Sequence, residues 1–407
     1  MRFANNSLTI VLGCAAAIGG ALPALAQTVT PRIVAQDASL NNLVDPPGYP
    51  AVPVGTLGSI DRRGPLDGTP LILVPGLGFG AEAYEALVQK LSVRHRVLVV
   101  PLAGFGRTHG PRSPPSTTSF GEQTWTSGAV TAIEGLIRED GVKNALVVGH
   151  WIGGTQVALK LALRNPSTVR AVALIAGAGR MVLRDPRFDE YYGTIERRVA
   201  STDKMMAPGW FKTVTRETWD DNNFLPGDYS ADPVLGLRLW RMAAEPPLHV
   251  WARYLCEFNA QDITVELSRL AAPTLLLRPA LEGLPNAPGL DYLHDYLHAS
   301  WEGRTAGVAA LTIRDVPASR LFMWLDQPEP VHEALRRFFD EVLARGNRAP
   351  ATHRDQHSAQ GGDAGETTMR IAEKSRVSVA LRKNEWDTGP GRSKPSRRAQ
   401  RDRPPRR

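Results

Sequence analysis

The sequence is poor in cysteine, in long apolar runs and in aromatic residues. Two cysteines, Cys14 and Cys256, occur among 407 residues. That excludes a disulfide framework, and it leaves no His/Cys spacing on which a zinc site could rest. Past the first 26 residues no stretch is apolar and long enough to span a bilayer, so no integral membrane span is expected there. Aromatic residues make up 7% of the chain, and the basic C-terminal stretch holds one, Trp386. One ring is too few for a base-stacking platform, so specific nucleic-acid binding is not expected.

What is present begins with an N-terminal segment of its own kind. "MRFANNSLTIVLGCAAAIGGALPALAQ" starts with Arg2, runs apolar from about Leu8 to Leu22, and places small residues at Ala24 and Ala26. This is the pattern of a secretory signal over residues 1–26, cleaved after Ala26. An uncleaved anchor is the rival reading, but Gly19, Gly20 and Pro23 break the apolar stretch. Val11 to Cys14 has the outline of a lipoprotein processing site, against which the apolar run continues past Cys14. Cleavage would leave Cys256 as the one thiol, read as a small buried apolar residue. A periplasmic or secreted location follows as the expectation.

The net charge of +7 is unevenly distributed. Residues 346–407 carry fifteen Lys and Arg against seven Asp and Glu, so this tail supplies the basic character. Its composition cannot bury enough apolar surface to offset chain entropy, which predicts disorder. A dispensable solvated extension and an arm for anionic surfaces are both open.

Residues 27–67 are rich in Pro, Gly, Asn and Asp and read as an extended linker with at most an edge strand. A regular alternation follows. Short Val/Leu/Ile runs at 71–76, 95–104, 144–149, 169–179, 273–280 and 308–316 predict buried strands. Helical spacing predicts helices at 81–92, 119–139, 154–166 and 330–345. Continuous apolar strands alternating with amphipathic helices predict a mostly parallel central sheet with helices on both faces. Ligands in such folds bind at the carboxyl ends of the strands. Residues 181–270 show no strand pattern and read as a helical insertion over that edge.

Four stretches carry a family resemblance. They are "LILVPGLGFG", "VLVVPLAGFGRT", "VVGHWIGGTQVALKLALRNPSTVRAVALIAG" and "IRDVPASRLFMWLDQPEPVHEALRRFF". Together they resemble the α/β-hydrolase fold, in the subgroup with a helical cap after the sixth strand. The resemblance implies a core at 68–180 and 271–345 and a cap at 181–270. It also implies that the third stretch is the nucleophile elbow, a sharp strand-to-helix turn with small residues two positions before and after its tip.

Gly149 and Gly153 satisfy that frame only with position 151 at the tip, so Trp151 stands where the nucleophile is expected. In the last stretch Leu321 occupies the histidine position. Glu282 lies closest to the acid position, with Asp291 as fallback, and without a histidine to orient either reads first as a solvated loop carboxylate. The oxyanion donors would be the backbone N–H groups of Leu77 and Ile152, helped by a helix N-terminus. Neither Trp nor Leu can perform nucleophilic or general-base chemistry.

Other groups have ordinary readings beside functional ones. His150 precedes the tip and reads as structural. Thr155 reads as buried and locally hydrogen-bonded. His109 sits in an exposed loop. His294 and His298 are spaced i, i+4, either on an amphipathic surface or with one ring reaching the cleft; no third ligand accompanies them, so neither a metal nor a cofactor is implied. The leading expectation is a hydrolase-descended protein without standard triad activity that binds a small apolar or carbonyl-containing molecule. The alternative is an active hydrolase of esters, lactones or similar substrates, using another nucleophile or an activated water. Cofactor-free oxygenase or lyase chemistry resembles this family but keeps the loop histidine, which Leu321 replaces. A tail-driven interaction protein is the fourth class.

Overall fold

The computed structural model describes residues 45–182, 188–209, 225–280, 293–306 and 308–347. The expectations for residues 1–26, for the tail past Asn347, and for Glu282 and Asp291 lie outside them.

The sheet has seven strands. They are β1 (Asp61–Arg63), β2 (Thr69–Val74), β3 (His95–Val99), β4 (Ala145–His150), β5 (Val169–Ile175), β6 (Thr274–Ala280) and β7 (Leu311–Pro317). Their spatial order is β1-β3-β2-β4-β5-β6-β7. β1 runs antiparallel to β3 and every other pair is parallel. The short Pro-flanked β1 is the edge strand left open by the linker composition.

The apolar runs become strands because helices cover both faces. In β4 every residue is buried, and in β5 all but Arg170. The covering helices are α1 (Glu85–Leu91), α2 (Thr124–Glu139), α3 (Trp151–Arg164) and a C-terminal helix (Pro328–Asn347). Two helices expected as single pieces begin with a separate turn: a 3-10 turn precedes α1 at Ala81–Tyr84 and another precedes α2 at Phe120–Glu122. At Gln123 the backbone is left-handed, which splits the second pair.

Between β5 and β6 the described residues are helical. The main elements are α4 (Ile195–Ser201), α5 (Pro233–Ala244) and α6 (Leu248–Asn259). This insertion follows the fifth strand of the present sheet, where the family pattern counts six. All twelve residues of α6 are buried, polar ones included. Glu257 explains part of that: its carboxylate accepts the Trp125 and Thr126 N–H groups and the Thr126 hydroxyl, capping α2. The Arg253 guanidinium lies over the Phe120 and Trp125 rings. Cys256 is buried and free.

The chain runs from β2 to β3 on one side and then to β4 on the other. β2 and β4 are neighbours, with Val74 opposite Gly149. The strand order therefore reverses here, and the loops leaving β2 and β4 face each other at their carboxyl ends. No described helix is long and apolar enough to cross a membrane.

Candidate functional site

The β4–α3 junction is the sharp turn that its glycines foretell. His150 is extended, Trp151 has φ of 51°, and Gly153 has φ of 84°. A left-handed backbone at a bulky residue is strained, and it persists only where the surroundings enforce it. The need for glycine two residues before Trp151 is direct. A Cβ on Gly149 would sit 2.5 Å from the Gly154 carbonyl oxygen and 2.7 Å from Ala158 Cβ.

Trp151 is 1% exposed, so the turn tip does not stand open to solvent. Its indole packs against Tyr296, with ring centroids 5.8 Å apart. Leu77, Ile152 and Leu321 are equally buried. The site is thus a packed apolar junction. Trp251 of α6 presses on the β2 loop at Gly78 and donates its indole N–H to the Ala243 carbonyl at 2.8 Å.

One polar chain runs through this apolar setting. The Gly76 N–H donates to the Tyr84 hydroxyl at 2.8 Å. Tyr84 lies 2.6 Å from His150 Nδ1, and His150 Nε2 lies 3.0 Å from the Leu321 carbonyl oxygen. A carbonyl can only accept, so Nε2 carries the proton and Nδ1 accepts from the tyrosine. The arrangement needs neutral imidazole. Burial enforces it, pushing the His150 pKa down to about 3 against a smaller opposing effect of the Leu321 carbonyl. Phe322 and Trp324 flank the ring, with centroids 4.9 and 5.0 Å away. Both nitrogens are committed, so this histidine ties the β2 loop, the elbow and the 321 loop together, as its structural reading expects.

The 321 loop is also held from the inserted segment. The Leu321 and Phe322 N–H groups donate to the Asp228 and Tyr229 carbonyls at 3.1 and 2.9 Å. Asp326 accepts from Ser230, Ala231 and the Arg320 N–H. The Asp228 carboxyl is buried, which raises its pKa to about 7, while its bond from the Leu225 N–H pulls the other way.

The oxyanion expectation meets a specific difference. The Leu77 N–H donates to the Ile152 carbonyl at 2.9 Å, so one expected donor is taken up by the chain itself. The physical reason lies in two dihedrals. Ile152 has ψ of 142° where a helix needs about −42°. Its carbonyl consequently turns back toward the β2 loop. Gln156 holds this form from the other side: its side-chain oxygen accepts the Gly153 N–H at 2.7 Å and its amide donates to the Ala178 carbonyl.

Among the expected site residues, the structure brings Trp151, Ile152, Leu77 and the Leu321 backbone together; Glu282 lies outside the described residues. Thr155 is buried as expected, but its hydroxyl has no hydrogen-bond partner among the described residues, where a local bond was expected. His298 Nε2 donates to the Pro279 carbonyl at 2.8 Å, and its ring stacks on His294 with centroids 5.1 Å apart. Tyr84, Gln156, Trp251 and Asp228 escaped the sequence reading. Tyr84 and Gln156 sit within apolar helical patterns, where nothing marks a polar atom as a brace.

The chain is similar in sequence to known proteins. Residues 69–229 match the family model described as alpha/beta hydrolase fold. The pimeloyl-(acyl-carrier protein) methyl ester esterase of Aeromonas hydrophila is 26% identical over 230 residues, covering 56% of this chain and 81% of that protein. The 2-hydroxymuconate semialdehyde hydrolase of Pseudomonas sp. strain CF600 is 30% identical over 115 residues, covering 28% of this chain and 38% of that protein. The latter match thus spans well under two thirds of the relative's own length. A thermophilic esterase from Thermogutta terrifontis aligns with a TM-score of 0.49 and 20% identity over 70% of this chain and 93% of that one. The elbow, the strand order and the match over residues 69–229 give this chain the α/β-hydrolase fold.

Proposed function

We propose that this protein descends from hydrolases, has lost Ser-His-acid chemistry, and binds a small apolar or carbonyl-containing molecule beneath its helical insertion. One observation carries the reading: the strained turn is kept while its tip is a buried tryptophan and the facing loop position is a buried leucine. Catalysis by the usual route needs an attacking atom and a base in hydrogen-bond reach of it. Trp151 has no such atom. His150 is neutral, and its two nitrogens are already engaged by Tyr84 and Leu321. Relatives named for ester and semialdehyde substrates suggest the ligand class, a small molecule with a carbonyl group.

The test uses p-nitrophenyl butyrate and the ketone 2-heptanone. The protein is expected to release nitrophenol no faster than buffer, while calorimetry finds saturable binding of the ketone. Saturable hydrolysis by the purified protein would overturn the reading.

We also propose export. The support is the charged start, apolar stretch and small residues before Gln27. Terminal sequencing of protein recovered outside the cytoplasm should begin at Gln27; an intact Met1 on that material would contradict it. The basic tail is proposed as a weak contact for anionic surfaces, which added salt should abolish.

A further inference from the structure

Residues 152 and 153 hold a dihedral pair with an alternative close by. Ile152 has φ −67° and ψ 142°, and Gly153 has φ 84° and ψ −63°. Rotating the peptide plane between them by roughly half a turn would bring Ile152 ψ and Gly153 φ to the helical values of about −42° and −63°. The neighbouring dihedrals, φ of Ile152 and ψ of Gly153, already lie near the helical region. The same pair of forms distinguishes type I from type II turns.

The flip has a defined consequence. The carbonyl and N–H of a trans peptide point in opposite directions. In the present form the Ile152 oxygen sits on the Leu77 N–H, and the Gly153 N–H points to the Gln156 side chain. In the flipped form the carbonyl leaves Leu77 and the Gly153 N–H turns toward the vacated position. Two backbone donors would then converge on one point at the head of α3, where the helix end favours negative charge.

We propose that the Ile152 carbonyl oxygen occupies the place of a ligand's carbonyl or carboxylate oxygen on the Leu77 N–H, and that a flip of the Ile152–Gly153 peptide exchanges one for the other. The inference rests on the small-molecule reading given above and adds its gate. Glycine at 153 is what permits the shut form. A side chain there would meet Leu77 Cδ2 at 2.5 Å and would hold a left-handed backbone. Gln156 is the latch, since its oxygen rewards the Gly153 N–H for facing away from the site. Buried backbone donors need partners, so the seat fills itself when no ligand does.

The test uses the full chain labelled with ¹³C and ¹⁵N. The coupling across the Leu77 N–H to Ile152 carbonyl hydrogen bond reports the shut form directly. It should be present in the free protein, vanish on adding hexanoate, and survive hexylammonium, which has a similar tail and a donor head. Gly153→Ala should weaken that coupling without any ligand and tighten hexanoate binding between about fivefold and thirtyfold, the range set by removing glycine's left-handed freedom. Gln156→Met, which keeps Gly153, should shift both readouts in the same direction by less, and it serves if the alanine variant does not fold. A coupling that persists in these variants and in hexanoate-saturated protein overturns the flip while leaving ligand binding standing. Absence of hexanoate and 2-heptanone binding in every variant overturns the binding reading, and the coupling in the unliganded variants then decides the flip alone.

Discussion

The elbow and the 321 loop meet at one hydrogen bond, yet they are specified by opposite means. At the elbow the shape comes from missing side chains: Gly149 leaves room that the Gly154 carbonyl and Ala158 occupy, and Gly153 supplies a left-handed backbone. At the loop the shape comes from partners for its backbone, with His150 on the Leu321 carbonyl and Asp228 and Tyr229 on the next N–H groups. Side chains at Trp151 and Leu321 do not build either shape. A scaffold specified this way tolerates apolar residues at both positions, as the proposed reading requires. A backbone frame and the chemistry mounted on it are separable.

The largest effect is expected at Trp151. If the indole is packing and not an open-cleft group, Trp151→Ala should cost about 3–5 kcal/mol in chemical denaturation, the range for deleting a buried Trp. A loss under about 1 kcal/mol, usual for exposed positions, would show that the ring does not support the core. Trp151→Gly should then be more stable than Trp151→Ala, by roughly 1 kcal/mol, because φ of 51° strains alanine and not glycine.

His150 is the next lever. His150→Leu removes the acceptor for Tyr84 and the donor for the Leu321 carbonyl, and it should cost about 2–3 kcal/mol through two buried groups left unpaired. Calorimetric unfolding of the variant would read the loss. An unchanged melting temperature would mean that the loop is held by Asp228, Tyr229 and Asp326 alone.

The pH dependence sharpens the same point. His150 and His249 are lowered by burial to about 3 and about 4. Both remain neutral in the folded state while the unfolded chain protonates near pH 6.5, so stability is lost as pH falls from about 6.5 toward 4, at roughly 1.4 kcal/mol per pH unit for each. Asp228 opposes them. Its folded value is raised to about 7, so its contribution is present at low pH and is lost as pH rises from about 4 to 7. Among these three groups two histidines outweigh one carboxyl, so together they favour higher pH by about one proton. His150→Leu should flatten that slope. The smallest effect is expected far from the site: Arg336→Ala breaks exposed pairs with Glu333 and Asp340 and should change stability by no more than about 0.5 kcal/mol.

The sequence made much of the frame legible. Apolar runs located β2 to β7, and the two glycines fixed position 151, because both signals are local. Tyr84 and Gln156 were not legible. Each looks like one more helical residue until the fold brings a histidine 66 positions away, or a carbonyl 22 positions away, within reach. The turned Ile152 carbonyl was hidden for another reason. The helical pattern from Gly154 onward is strong, and nothing in it says that the preceding peptide is reversed to meet Leu77.

On the proposed reading the turn tip no longer attacks. Incubating the purified protein with a fluorophosphonate probe and measuring its intact mass tests this most directly. The mass should stay unmodified under conditions that fully label an active serine esterase. A stoichiometric phosphonate adduct on any serine would contradict it.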